Sequence, residues 1–351
     1  MKKHLILIII LMTAVTFSQA ENRKEINLGG EWKFRIGDRP EYAQPAYSDQ
    51  SWKRIRVPSD WENQGYPGYD GYAWYRIQVR IPSNLKTREL ELMMGRIDDV
   101  DQVFLNGDYI GGKGNFPPGY STAYNEWREY PIPPDFIRWD QDNLIAVRVF
   151  DEGLNGGIIE GQPGIYSVDP SGSPALNLSG LWKFRTGDSP QYAKPTYNDI
   201  GWNELLVPAM WDSQGYRDYD GWAWYRKTFR IPTHLADEEL VLVVGMIDDM
   251  DQTFFNGEMI GHTGNFTPEE MTMMQNNYWN QLRYYYIPPH LIRKNGPNTI
   301  AVRVYDVWKD GGIYHGPVGI MTQQHYMELQ KKNPPQSLWK SILDGLLKNE
   351  N

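Results

Sequence analysis

The chain repeats itself. Trp32-Lys33-Phe34-Arg35 returns as Trp182-Lys183-Phe184-Arg185, and the match holds through Trp52 and Trp202, Val57-Pro58 and Val207-Pro208, and Trp61 and Trp211. It continues with Ala73-Trp74-Tyr75-Arg76 against Ala223-Trp224-Tyr225-Arg226, and Ile97-Asp98-Asp99-x-Asp101-Gln102 against Ile247-Asp248-Asp249-x-Asp251-Gln252. The shift is 150 positions until a Met-rich stretch around Met271 to Met274 adds five residues to the second copy. Arg128 then corresponds to Arg283, and Gly156-Gly157-Ile158 to Gly311-Gly312-Ile313. Units this long are whole domains rather than solenoid repeats, so the chain must build one fold twice. The copies are read as residues 21–169 and 176–322, joined by a turn-rich linker at 170–175 and followed by a tail, 323–351.

Local pattern within each copy favours strands. Tyr75, Ile77, Val79 and Ile81 alternate with Arg76, Gln78 and Arg80, as a half-buried strand requires. Leu90–Met94 and Leu240–Val244 are continuous apolar runs that suit a central strand buried on both faces. Asn106-Gly107, between two apolar runs, predicts a type I′ hairpin. Many short strands separated by turns predict an all-β fold, a sandwich or jelly roll in each copy. In the tail, Ser337 is placed to cap a short helix carrying Leu338, Trp339, Ile342, Leu343, Leu346 and Leu347 largely on one side. Two fates are open for that apolar face: packing on the second sandwich, or docking to a partner.

The first twenty residues read as a secretory signal peptide: Lys2 and Lys3, an apolar run from Leu5 to Phe17, then Ser18-Gln19-Ala20 before the cleavage point. The run is shorter than the roughly 20 residues that span a bilayer. Export to the periplasm or medium is the expectation, without a lipid anchor, since the chain has no cysteine to carry one. The same lack of cysteine excludes disulfides, so packing must hold the domains together. Removing the two lysines takes the formal net charge from -9 to -11, which disfavours nucleic acid and anionic membranes as partners. With 14 Trp and 23 Tyr, there are aromatic faces to spare for a flat ligand such as a sugar ring.

The ordered set Asp70-Gly71-Tyr72-Ala73-Trp74-Tyr75-Arg76, Gly95-x-Ile97-Asp98-Asp99-x-Asp101, Asn106-Gly107, Arg128-x-Tyr130, Asn143-x-Ile145-Ala146-Val147-Arg148 and Gly156-Gly157-Ile158 resembles one module. It is similar to the N-terminal, galactose-binding-like jelly roll of family 2 glycoside hydrolases, and to the jelly roll inserted in sialate O-acetylesterases. The resemblance covers nearly all of residues 21–322, twice. It implies two tandem galactose-binding-like β-sandwiches, and an oligo- or polysaccharide as partner. In both families the chemistry sits on other domains. A (β/α)8 barrel of about 250 residues does not fit beside two sandwiches in 351 residues. The expectation is therefore a non-catalytic carbohydrate-binding protein that captures glycans or assists their degradation, with a glycosidase, a carbohydrate esterase or a scaffold subunit docked through the tail helix as alternatives.

The duplication also filters candidate catalysts. Gly187-Asp188-Ser189 looks like an esterase nucleophile block, but its counterpart is Gly37-Asp38-Arg39, so only Gly-Asp is shared. His234, His262, His290 and His315 correspond to Asn84, Gly112, Asp135 and Glu160, and none has zinc-ligand spacing. No catalytic residue and no transition-metal site is assigned. The expected sugar-binding residues lie on an aromatic loop: Trp61, Tyr66, Tyr69, Asp70 and Trp74, with their twins Trp211, Tyr216, Tyr219, Asp220 and Trp224. For Trp74 and Trp224 the core is an equally good home, and Trp32 and Trp52 are read as core. Three readings stay open for Asp98, Asp99 and Asp101 and for Asp248, Asp249 and Asp251. They form a buried carboxylate–arginine network with Arg76, Arg128 and Arg148 (twins Arg226 and Arg303), or they contact sugar hydroxyls, or they hold a structural calcium ion.

Overall fold

The alternating and continuous apolar runs do form strands. The structure, a computed structural model, describes residues 22–168, 172–272 and 277–332. In the first copy the strands are β1 (Arg23–Asn27), β2 (Gly30–Ile36), β3 (Lys53–Val57), β4 (Gly71–Arg80), β5 (Leu90–Asp98), β6 (Val100–Leu105), β7 (Asp108–Lys113), β8 (Trp127–Ile132), β9 (Asp142–Asp151), β10 (Gly157–Glu160) and β11 (Gly164–Ser167). One sheet runs β3-β2-β4-β9-β6-β7; the facing sheet is built on β5, with β8 on one edge and β10 and β11, backed by β1, on the other. All pairings are antiparallel.

The second copy repeats this with β12 (Leu176–Asn177), β13 (Gly180–Thr186), β14 (Asn203–Val207), β15 (Gly221–Phe229), β16 (Leu240–Asp248), β17 (Met250–Phe255), β18 (Glu258–Thr263), β19 (Leu282–Ile287), β20 (Asn298–Asp306) and β21 (Gly312–Thr322). Its sheets run β14-β13-β15-β20-β17-β18 and β12-β21-β16-β19. Each pair of sheets encloses its own apolar core, one including Trp32, Phe34, Tyr75, Ile97 and Val147, the other Trp182, Phe184, Tyr225, Ile247 and Val302. Two packed antiparallel sheets per copy give an all-β, tandem β-sandwich architecture. The Asn106-Gly107 hairpin forms as expected, both residues having positive φ, 56° and 97°. The signal segment 1–20 and part of the linker lie outside the described residues. No helix among the described residues is long and apolar enough to cross a membrane.

A short C-terminal helix, α1 (Gln323–Lys332), follows β21 directly. It precedes the segment after Pro334 on which the sequence pattern placed a helix; that segment lies outside the described residues. Tyr326 and Leu329 of α1 pack on Val241, Val243, Met321 and Tyr284, the outer face of the second β5-type sheet. The corresponding face of the first copy carries Glu91 and Glu129 where the second has Val241 and Tyr284. A sheet face covered by a helix is apolar; its twin, without one, is acidic.

Glu91 is the cost of that choice. Burial, then the charges of Glu129 and Glu89, push its carboxyl up to about 7. A carboxyl raised in the fold stabilises it below the unfolded value and loses that contribution as pH rises through 7. Glu91→Gln should therefore leave stability unchanged at pH 4.5 and raise it at pH 8, by on the order of 2–3 kcal/mol. Denaturant unfolding of both proteins at the two pH values measures the difference.

Candidate functional site

Gly-Asp after the second strand, the remnant of the esterase-like block, is a structural joint. Asp38 accepts from Trp74 Nε1 at 3.0 Å and from Arg148 Nε at 2.8 Å; Asp188 does the same for Trp224 (3.0 Å) and Arg303 (2.8 Å). Arg148 and Arg303 also reach Gln102 and Gln252. Arg76 pairs with Asp49 at 2.9 Å and donates to the carbonyls of Tyr42, Gln44 and Tyr47; Arg226 pairs with Asp199 at 2.7 Å. These four arginines thus tie loops to the six-stranded sheet. None of them compensates the aspartate cluster, which corrects that part of the network reading.

One arginine does join the cluster. Arg128 Nε donates to Asp101 at 2.7 Å, both side chains being 0% exposed. Its other four N–H groups go to the carbonyls of Ala123 (2.5 Å), Glu126 (2.6 Å), Ile97 (2.7 Å) and Asp99 (2.9 Å). All five guanidinium donors are satisfied. Tyr130 donates to the second Asp101 oxygen at 2.5 Å. Arg283, Asp251 and Tyr285 repeat the set, with Nε to Asp251 at 3.1 Å and Nη2 to the carbonyls of Ile247 and Asp249 at 2.9 and 2.6 Å. Asp101 and Asp251 are thus buried partners of an arginine and a tyrosine, with no exposed side-chain surface.

Asp98 and Asp99 have a different environment. They form the β5–β6 junction, joined by a cis peptide bond, as are Asp248 and Asp249. Asp99 accepts from Thr122 Oγ1 and, at 3.1 Å, from the Glu152 N–H. Burial alone would raise its carboxyl, but hydrogen bonds from Thr122, Tyr120 and Glu152 outweigh it and hold the group below the ordinary aspartate value. Asp98 is raised by burial and by its neighbour Asp99. Asp151, at the end of β9, completes the group: one oxygen from each of Asp98, Asp99 and Asp151 lies within 4.8 Å of the others, and Asp248, Asp249 and Asp306 match. Burial and the charges of Asp99 and Glu62 push Asp151 up to about 6. Burial and the charges of Asp248 and Asp249 push Asp306 to about 9. The charges of exposed Asp70 and Asp220 also raise Asp151 and Asp306.

The aromatic side chains of the Trp61–Trp74 loop are buried or half-buried, with Trp61 packed beside Asp151. Trp61 and Trp211 are 0% exposed and Trp74 and Trp224 only 1%, so none can stack on a sugar. This overturns the ligand reading of Trp61 and Trp211 and decides Trp74 and Trp224 for the core. Apolar area this large is worth more buried against other rings. Tyr66 packs edge-on to Phe34 at 4.9 Å, and Tyr69 lies on Trp61 at 5.9 Å with its hydroxyl donating to the Tyr72 carbonyl. Tyr216 and Tyr219 sit likewise on Phe184 and Trp211, and Tyr219 donates to Trp222. The loop's tyrosines are half-buried struts, leaving Asp70 and Asp220 as the exposed members of the predicted set.

Half-exposed aromatics lie on chain segments next to the carboxylate cluster. In the first copy the segment that caps Asp99 carries Tyr124 and Trp127, about half exposed, and Arg96 sits 5.4 Å from the Trp127 ring. In the second, Trp308 follows Asp306 by two residues, and Trp279 accepts through its carbonyl from Tyr314; both indoles are about half exposed. Sequence reasoning missed Asp151 and Asp306, although the duplication aligns them. It also missed the aromatic rim, whose members differ between copies. A cleft of about 150 Å³ between the sandwiches, bordered by Arg148, Ser213 and Arg217, is smaller than ligand pockets of roughly 300 Å³ and up.

Breaking the buried pair separates these roles. Asp101→Ala should destabilise the first sandwich by about 3–5 kcal/mol by leaving Arg128 unpaired, whereas Trp127→Ala, at an exposed position, should cost less than about 1 kcal/mol. Denaturant unfolding of the two variants checks the contrast.

Comparison with known proteins agrees with this architecture. Residues 187–310 match the family model described as the β-galactosidase second all-β domain. The chain is 26% identical over 141 residues to the β-galactosidase BoGH2A of Bacteroides ovatus, covering 36% of this chain and 15% of that protein. It is 32% identical over 111 residues to a β-glucuronidase of Streptococcus agalactiae, covering 30% and 18%. A solved glycosyl hydrolase family 2 member from Bacteroides cellulosilyticus aligns with 80% of this chain and 31% of its own, at 15% identity and a TM-score of 0.36. The chain spans less than a fifth of the length of these two curated relatives. It carries an all-β domain of the family 2 glycoside hydrolase type, and none of the described residues forms a (β/α)8 barrel.

Proposed function

We propose that this is an exported carbohydrate-binding protein whose two sandwiches each hold a glycan at the acidic rim, without catalysis of their own. The observation that carries the reading is the occurrence, in both copies, of a three-carboxylate cluster with a half-exposed tryptophan on an adjoining segment: Trp127 pairs with Arg96, two residues before Asp98, and Trp308 follows Asp306 by two. Carboxylates accept hydrogen bonds from vicinal sugar hydroxyls, while an indole offers a flat apolar face to a pyranose ring. The match to all-β domains of β-galactosidases and β-glucuronidases supports a β-galactoside or β-glucuronide as the sugar class. Two weak sites in one chain gain avidity when a glycan spans both. The charged and aromatic character of the rim suits a polysaccharide met outside the cytoplasm, in keeping with the leader-like segment at residues 1–20.

One observation favours a second, enzymatic reading. Burial and the neighbouring Asp99 raise the Asp98 carboxyl while hydrogen bonds lower that of Asp99, a divergence of the kind that acid–base catalysis uses. Asp99, however, already accepts from Thr122 and the Glu152 N–H, which suits a positioning role better than attack.

Isothermal titration with galactose- and glucuronate-containing oligosaccharides tests the binding reading. Dissociation constants between micromolar and millimolar are expected. Trp127→Ala and Trp308→Ala should each weaken binding about tenfold, or ~1.4 kcal/mol, while folding is unchanged. Correctly folded protein that binds no member of a broad glycan array sinks the proposal. Turnover of chromogenic β-galactosides or β-glucuronides, lost in Asp98→Asn, replaces it with the enzymatic one.

A further inference from the structure

We propose that each sandwich binds one calcium ion at its rim, held by Asp98, Asp99 and Asp151 in the first and by Asp248, Asp249 and Asp306 in the second. The three carboxylates of each set bring one oxygen apiece within 4.8 Å of the others. Any two oxygens that share a calcium ion bonded at 2.3–2.6 Å lie at most about 4.6–5.2 Å apart, so three carboxylates this close can share one ion. Magnesium dehydrates reluctantly and is usually held by one or two carboxylates with several waters, not by a set of three.

The second observation is independent of the spacing. Asp151 and Asp306 are 0% exposed, yet each leaves Oδ2 with no hydrogen-bond partner. Their other oxygens are anchored, by the Gly153 N–H at 3.2 Å and the Trp308 N–H at 3.3 Å, so the side chains are held in place. A buried carboxylate oxygen left bare is costly unless a positive charge meets it. Among the described residues no lysine or arginine forms an ion pair with any of the six carboxylates. Arg128, whose charge reaches Asp98, has every N–H committed elsewhere. The Asp99 carboxylate is fixed by Thr122 and the Glu152 N–H, and Asp249 by the Val307 N–H at 3.0 Å, which leaves each with further lone pairs for a metal. The set is hard oxygen only, as calcium prefers. Partly exposed Asp98 and Asp248 leave the remaining coordination positions to water.

The test uses the full chain after treatment with chelator and dialysis. Titration with CaCl2 should give two equivalents per chain, and a hundredfold excess over Kd should raise Tm by about 5 °C. Asp151→Asn should reduce two equivalents to one, and Asp151→Asn with Asp306→Asn to none. In chelator that double variant should be at least as stable as the parent, since two buried, incompletely bonded carboxyl groups have been replaced by neutral amides, which also shows that it folds. Absence of heat and of any Tm shift up to about 10 mM CaCl2, beyond the weakest extracellular sites, overturns the proposal. So does an equal response to MgCl2, or calcium binding that persists undiminished in the double variant. None of these readouts depends on a glycan, so failure here is distinct from failure of the sugar-binding reading.

Discussion

The architecture of the rim depends on a single buried arginine in each copy. Arg128 and Arg283 gather a strand-end aspartate, two carbonyls from the end of β5 or β16, and two from the segment that returns over the junction. A guanidinium spends little entropy per hydrogen bond because its donors are already arranged in a plane. With all five donors used inside the protein, it can hold two irregular segments of backbone that would otherwise carry unsatisfied carbonyls. The Asp98-Asp99 junction is therefore held through its backbone by Arg128. Among the described residues no lysine or arginine forms an ion pair with the carboxylates of Asp98, Asp99 or Asp151.

The duplication separates what the fold requires from what each copy uses. Arginine pairs, the Gly-Asp joint, the buried tryptophans and the three rim aspartates occur twice. The surroundings do not: Gly153 corresponds to Trp308, Trp127 to Leu282, Glu160 to His315, and Glu91 to Val241. Those substitutions lie on the rim or on an outer sheet face, where packing imposes least.

Much of the fold was legible in the sequence because strand periodicity and the Asn-Gly turn are local signals, and the repeat supplied a second reading of each. The site was less legible. Aromatic residues clustered along a loop look alike whether they stack on a ligand or on one another; Trp61 proved to be core because Phe34 and Tyr69 close over it. Whether an arginine meets an aspartate depends on strand register, so Arg76 and Arg148 found Asp49 and Asp38 instead. Asp151 was overlooked because a lone acid at a strand end carries no motif; only its distance from Asp98 and Asp99 reveals it. The helix α1 follows a strand without a Pro or Gly break, which hid it between the second sheet and the more conspicuous apolar pattern after Pro334.

The claim that matters most is that ligands meet this protein at the carboxylate rim and not at the aromatic loop. Tryptophan indole N–H resonances of 15N-labelled protein, assigned by substitution and followed during titration with a binding oligosaccharide, test it directly. The account predicts shifts for Trp127, Trp279 and Trp308, with Trp61, Trp74, Trp211 and Trp224 unmoved. Shifts confined to the latter four, with the rim indoles silent, would contradict it.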